Sequence, residues 1–326
     1  MLLNTALSLS LVGAAYTARP YMFWPDTGVK EQFGTIETGG QLLNVSDVVR
    51  YINSTAYTYY YSGAAGEWSY RDNLEVFQRI RLRLRVMVQV DNIEASLPTT
   101  ILGHNFSAPF FISPCARAGY ANDDAEKNLV KGAAASNILY IVTDFSSVSK
   151  EEVQSARADG QILFQQLYID LHNKTRLNFN AIVLTVDSAV DGNHHRAMRN
   201  QTKLPIVPKG IQSVEDAIEA VNHGAPAILL SNHGGRQLDG SPSGLEVFEQ
   251  TEVWANSDVR YGADVVKLLA PFMFSNVFGA AGVERAVEIM KREVAIDAAN
   301  AGIRNLKDAN VSYIDFTAAK RWGTSW

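Results

Sequence analysis

The chain is short of cysteine and carries no excess of positive charge, and each shortage narrows what it can be. Among 326 residues Cys115 is the single cysteine, so no internal disulfide can form. A large core can stand without covalent staples, and this scarcity does not by itself fix a compartment. The formal net charge is −5. With no basic stripe to track a phosphate backbone, a nucleic-acid partner is disfavoured. The densest basic run, Arg79, Arg81, Arg83 and Arg85, alternates with Ile80, Leu82, Leu84 and Val86. That alternation predicts a strand with one solvated face rather than an anion site. Walker-type phosphate loops, internal repeats and metal-binding Cys/His clusters are also missing. The adjacent His194 and His195 lack the further ligands that a metal ion needs.

What is present is a substantial apolar content. At 47% hydrophobic residues, 326 residues can bury one large core or two smaller ones. Met1–Ala18 is apolar and ends in small residues; it is too short to favour a membrane span and reads as a signal peptide. Six Asn-X-Ser/Thr sequons, at Asn44, Asn53, Asn105, Asn173, Asn200 and Asn310, point the same way. The expectation is a secreted glycoprotein.

After the leader, residues 19–56 form a poorly patterned N-terminal segment broken by Pro20, Pro25 and Gly39-Gly40. Residues 57–326 carry the main domain. From Pro109 onward, short apolar runs alternate with helical patterns. The expected strands are Pro109–Ser113, Leu139–Thr143, Ile162–Tyr168, Ala181–Val186, Leu204–Val207, Ala227–Leu230 and Glu252–Ala255. The expected helices are Asp123–Ala135, Lys150–Ala158, Val214–Asn222, Ala263–Leu269 and Val283–Ala299. Strand–helix alternation implies a parallel sheet, and seven or eight such units imply an α/β (β/α)8 TIM-type barrel. The barrel is expected to be incomplete or irregular. The links Leu171–Asn180 and Asn200–Lys203 are too short for crossover helices, and no eighth strand separates Leu269 from Pro271.

One stretch carries chemistry: Ser231-Asn232-His233-Gly234-Gly235-Arg236-Gln237-Leu238-Asp239, directly after the apolar run Ala227–Leu230. A histidine can take a proton near neutral pH, and an arginine three residues on can hold a carboxylate in a bidentate fork. The pair suits chemistry on a 2-hydroxy carboxylate. The stretch resembles the signature of the FMN-dependent α-hydroxy-acid oxidoreductases, the family of glycolate oxidase and flavocytochrome lactate dehydrogenase.

The resemblance covers most of residues 57–315 and implies a residue-by-residue site. His233 is the implied base, Arg236 and Tyr59 the carboxylate holders, Tyr168 an active-site tyrosine, and Asp187 the partner of the His233 imidazolium. Ser113, Pro114, Cys115 and Ala116 resemble the turn that meets the flavin through backbone groups, with Cys115 a small buried side chain rather than a nucleophile. Thr143, Gln166 and Thr185 are implied to touch the flavin, and Lys209 to lie near its N1–C2 edge. Asn256 and Arg260 fall in the segment that resembles the ribityl and phosphate site. Tyr59 alone, in its aromatic run, also reads as core packing, and Lys209 alone as a solvated loop lysine.

The chain departs from that pattern in places. His194 stands where an arginine is expected, His195 and Ala197 replace acidic residues, Asn256 stands for an aspartate, and Asp258 for a glycine. The strand and Gly-Arg pair that complete the phosphate site are missing between Ala270 and Pro271. Three readings follow. The first is a flavoenzyme oxidising a small 2-hydroxy acid to a 2-oxo acid, with FMN as cofactor. The second is a non-catalytic secreted glycoprotein relic of the same family. The third is a binding module unrelated to flavin.

Overall fold

The computed structural model describes residues 56, 59–60, 62–79, 81–168, 178–188, 202–244, 253–255 and 270–315. The expected leader, most of residues 19–56, the helix expected at Ala263–Leu269, and the residues Asn44, Asn53, Asn173, His194, His195, Asn200, Asn256 and Arg260 lie outside them.

The described elements run α1 (Trp68–Arg79), β1 (Arg81–Leu82), β2 (Thr99–Ile101), β3 (His104–Phe106), β4 (Phe111–Ile112), α2 (Glu126–Ser136), β5 (Leu139–Val142), α3 (Lys150–Ser155) and β6 (Leu163–Leu167). They continue with β7 (Ala181–Thr185), β8 (Ile206–Ile211), α4 (Val214–Asn222), β9 (Ile228–Leu230), β10 (Val253–Ala255), α5 (Ala270–Ser275), α6 (Gly279–Asn300) and β11 (Ile314–Asp315). Strands β4 to β10 form one sheet in spatial order β10-β9-β8-β7-β6-β5-β4, every neighbouring pair parallel. Sequence order equals spatial order, which is the wall of a (β/α)8 barrel. Among the described residues β4 and β10 do not pair with each other, so the wall is an incomplete barrel.

Strands β4, β5, β6, β7 and β9 are buried on both faces, as parallel strands covered by crossover helices must be. Leu139 and Ile141 of β5 join Phe164, Ala181, Val183, Val207 and Leu229 in an inner cluster, which the β2–β3 hairpin enters with Ile101 and Phe106. Tyr140 and Val142 point the other way and pack with Leu129, Val130 and Ala133 of α2 and Val283, Ala286, Val287 and Met290 of α6. Each fully buried Leu, Ile, Val, Phe or Met among them contributes about 1.5–3 kcal/mol of hydrophobic free energy. The close approach of α2 and α6 needs Gly132, where a Cβ would come within 2.7 Å of Val283.

Two expectations need correction. Strand β8 runs through Pro208 to Ile211 instead of ending at Val207. The ladder accepts the proline because its neighbours supply the bonds: Val186 N–H donates to the Lys209 carbonyl at 2.8 Å and Ile182 N–H to that of Pro205 at 2.9 Å. Over its described stretch, Arg81 to Val86, the alternating run that begins at Arg79 is not a half-buried strand. Only Arg81 and Leu82 pair, antiparallel to Asp315 and Ile314, and Leu82, Leu84 and Val86 are all exposed. Alternation buries one face only where a second layer lies beneath it. The arginines instead fasten the segment to the C-terminal stretch: Arg85 lies 4.1 Å from the Tyr313 ring centre, and Arg83 reaches Asp315 at 3.8 Å. Among the described residues no helix is long and apolar enough to cross a membrane.

Candidate active site

The strands' C-terminal ends surround a cavity of about 400 Å³. His233 enters it from the turn after β9. Its backbone sits at φ 61°, with Gly234 and Gly235 at 68° and 69°, a left-handed run that only glycine adopts without strain. At Gly235 the requirement is absolute, since a Cβ would lie 2.4 Å from the Tyr70 nitrogen of α1.

Helix α1 is itself part of the support. Its N-terminus is capped from outside by Asp239, whose carboxylate accepts from Ser69 N–H at 2.9 Å. Inside, Asn73 and Asn232 exchange two amide hydrogen bonds of 2.9 Å each. The Asn232 side-chain oxygen, Oδ1, also accepts from Gly235 N–H at 3.1 Å. The His233 turn is thereby tied to α1 through fully buried polar groups, whose alternative is an unsatisfied amide.

His233 Nδ1 lies 2.9 Å from Asp187 Oδ1, and Nε2 lies 3.1 Å from the Tyr168 hydroxyl. A carboxylate can only accept, so Nδ1 carries the proton, and Nε2 is left as an acceptor facing the cavity. Burial, reinforced by Lys209, holds the His233 pKa below its ordinary 6.5 even though Asp187 opposes the shift. Burial alone would raise the Asp187 carboxyl, but Lys209 and the His233 hydrogen bond outweigh it and hold it below 3.8. Lys209 Nζ faces the second Asp187 oxygen at 3.8 Å, an ion pair without a hydrogen bond. Burial brings that ammonium below its ordinary 10.5. The pair meets because β7 and β8 register Thr185 opposite Lys209 and because Gly210, at φ 106°, forms an irregularity beside β9. A Cβ on Gly210 would strike Asp187 at 2.5 Å.

The floor is a chain of neutral donors and acceptors. Gln166 accepts from Asp144 N–H at 2.9 Å and from Thr143 at 3.3 Å, and donates to the Thr185 hydroxyl at 2.7 Å. One amide thus joins the ends of β5, β6 and β7. Pro114, Cys115 and Ala116 line the side after β4, with the buried Ser113 hydroxyl making no hydrogen bond behind them. Burial pushes the Cys115 thiol up to about 11, outweighing Arg236. Tyr168 is pushed well above 10.0 by burial and then by Asp187.

Arg236 donates to the Tyr60 carbonyl at 2.8 Å, which places it against the Tyr59–Tyr60 segment. Tyr59 lines the cavity and stacks edge-on with Tyr60 and Tyr120, each at 5.4 Å. Tyr59, Cys115, Thr143, Gln166, Tyr168, Thr185, Lys209, His233 and Arg236 therefore share one cavity wall, and Asp187 stands behind His233. Asn256 and Arg260 lie outside the described residues. Arg117 and Phe145 line the same cavity and went unread in the sequence. Phe145 packs on Tyr168 with ring centres 5.0 Å apart, and Arg117 hangs over Tyr59. Their one signal is position, on the turns that follow β4 and β5. Among the described residues no group of His, Cys, Asp and Glu is placed to hold a metal ion.

Comparison with known proteins places this geometry in context. The family model described as FMN-dependent dehydrogenase matches residues 49–205 and 195–316. Spinach glycolate oxidase is 30% identical, over 79% of this chain and 90% of its own length. The cytochrome-linked L-lactate dehydrogenase of Saccharomyces cerevisiae is 27% identical, over 82% of this chain; the match spans 59% of that longer protein. Among solved structures, the flavin-binding domain of baker's yeast flavocytochrome b2 superposes with a TM-score of 0.79 at 26% identity, covering 91% of this chain and 92% of that one. A lactate oxidase from Pediococcus acidilactici gives 0.72 at 27% identity, covering 82% and 92%.

Proposed function

This chain belongs to the FMN-dependent dehydrogenase family, and on that premise we propose that it oxidises a small 2-hydroxy acid to the corresponding 2-oxo acid. The observation that carries the reading is the His233 triad: Nδ1 on Asp187, Nε2 on Tyr168 and open to the cavity, with Arg236 on the same wall. Arg236 and Tyr59 hold the substrate carboxylate. Neutral His233 takes a proton from the substrate at Nε2, and the depressed pKa keeps it neutral at pH 7. The buried Asp187 then stabilises the imidazolium so formed. Tyr168 stays protonated because its pKa is raised. Its hydroxyl donates to the neutral Nε2, and once Nε2 has taken the substrate proton and become a donor, that O–H is free to turn toward the oxygen where charge develops.

The residues fit the ring end of FMN. The cavity offers a buried ammonium at Lys209, a fixed amide at Gln166, hydroxyls at Thr143 and Thr185, and the turn Ser113–Ala116 with an unsatisfied buried hydroxyl. Such a set matches a planar ring edged with nitrogens and oxygens, and these residues are the ones to hold it. When bound, FMN supplies the acceptor for the two electrons released at the substrate α-carbon. For the phosphate end, Asn256 and Arg260 remain the residues proposed.

The test is the visible spectrum of the purified protein, followed by a panel of 2-hydroxy acids added without oxygen. A flavin spectrum that bleaches with one acid supports the reading; a folded, colourless protein overturns it. The second reading, a non-catalytic relic, is favoured by the lack of pairing between β4 and β10 among the described residues, and the same spectrum separates the two. Secretion and N-glycosylation belong to the proposal as well. The described sequon asparagines, Asn105 and Asn310, are both exposed, and N-glycosidase treatment of the secreted protein should increase its gel mobility.

A further inference from the structure

Arg117 sits at the cavity rim on the turn after β4, and the chemistry assigned above leaves it unused. Its backbone is left-handed, at φ 60°, where any residue other than glycine is strained. Three hydrogen bonds hold it there. Arg117 N–H donates to the Phe145 carbonyl at 3.1 Å, and its own carbonyl accepts from the Tyr60 hydroxyl at 2.7 Å and Tyr120 N–H at 2.9 Å. The side chain is also directed: it donates to the Tyr120 hydroxyl at 2.6 Å and lies 5.6 Å from the ring centres of both Tyr59 and Tyr120. A surface arginine without such partners samples many rotamers; this one is fixed over the phenol assigned to the substrate carboxylate. The Tyr59 hydroxyl, raised by burial, is pulled back by both Arg117 and Arg236, so both guanidiniums act at one place.

Charge balance says what the second guanidinium is for. The cavity wall carries three fixed cations among the described residues, Arg117, Lys209 and Arg236. Lys209 is matched by Asp187, and Arg236 is matched by the substrate carboxylate. No carboxylate pairs with Arg117 among the described residues. A guanidinium is the side chain best shaped to receive one. An alkyl substituent at the same place would strip water from Arg117 with nothing in return, so the residue selects against apolar tails as well as for charged ones.

We infer that the preferred substrate is a 2-hydroxy dicarboxylic acid, its distal carboxylate received by Arg117. This rests on the oxidoreductase reading above, and two five-carbon acids separate the two ideas. With FMN-loaded protein, anaerobic bleaching by 2-hydroxyglutarate and 2-hydroxypentanoate gives their kcat/KM ratio. Calorimetric binding of 2-oxoglutarate and 2-oxopentanoate gives the same ratio without turnover. The diacid is expected to lead at least tenfold in both. Arg117→Gly, which suits the left-handed backbone, collapses that ratio about tenfold, and Arg117→Lys restores part of it. If the monoacid reacts and binds as well as the diacid, the dicarboxylate inference fails while the oxidoreductase reading stands. If neither acid bleaches the flavin or binds, the oxidoreductase reading fails and the inference falls with it.

Discussion

Asn73 of α1 and Asn232 of the His233 turn are joined by two reciprocal amide hydrogen bonds of 2.9 Å, 159 residues apart in the chain and completely enclosed. Replacing Asn73 by alanine leaves the Asn232 side-chain NH2 without this acceptor in a site closed to water, a loss of about 1–3 kcal/mol. Asn73→Asp should be worse, because it buries a charge and sets a second acceptor against the Asn232 oxygen. Urea unfolding of the three proteins measures this. Loss below about 0.5 kcal/mol for Asn73→Ala, the range of neutral surface changes, would mean that the pair is incidental.

The pH dependence has a definite sign. The folded His233 pKa lies below 6.5, so the base stays neutral to lower pH than a free histidine, and the acid limb of kcat/KM should have its midpoint below 6.5. Stability follows the same direction. An unfolded histidine binds its proton first as pH drops through 6.5, so this contribution is complete above that value and is lost toward the folded pKa. Asp187 adds a second loss, from 3.8 downward. Asp187→Asn removes the group that holds the His233 pKa up and should move the limb lower still, with a rate loss of about 10²–10⁴-fold. An acid limb centred above 6.5 contradicts this placement of His233.

The thiol of Cys115 provides a check independent of activity. Burial takes it from 9.0 to about 11, which lowers the thiolate fraction at pH 8 about 100-fold, and the thiolate is the reactive form. A higher-pKa thiolate is also the stronger nucleophile, which offsets about tenfold of that difference, so iodoacetamide should label the folded protein about tenfold more slowly than the urea-unfolded chain. Comparable rates would show that Cys115 is a reactive surface thiol.

How much of this was legible in the sequence varied with how local the cause is. Helix α4 was readable to the residue, Val214–Asn222, because its cap is adjacent: Ser213 accepts from Asp216 N–H. Strands β5, β6 and β7 were readable within one or two residues, since apolar runs buried on both faces leave a plain signal. Helix α1 went unread, and its cap explains why: Asp239 lies 170 residues beyond Ser69. The cavity residues on strand ends followed from family resemblance, while Arg117 did not, because a left-handed arginine has no local sequence mark. The Arg79–Val86 run misled, since alternation records only that two faces differ and says nothing of whether a layer covers either.

Glu126 closes the site from behind and gives the last test. Fully buried at the start of α2, its carboxylate accepts from Ala118 N–H at 3.1 Å, from Ser147 N–H at 3.0 Å to each oxygen, and from Val148 N–H at 3.4 Å. Those amides belong to the turns after β4 and β5, the turns that carry Arg117 and Phe145. Glu126→Gln keeps the shape but turns one acceptor into an NH2 group facing other N–H donors, which should cost about 1–3 kcal/mol. Asn276 still holds the Ala118 carbonyl at 3.2 Å, so the variant should fold with looser turns rather than unfold. Hydrogen exchange should then quicken at Ala118, Ser147 and Val148 while the β6 and β7 amides keep their protection. Unchanged exchange at those three amides would show that Glu126 does not fix the turns.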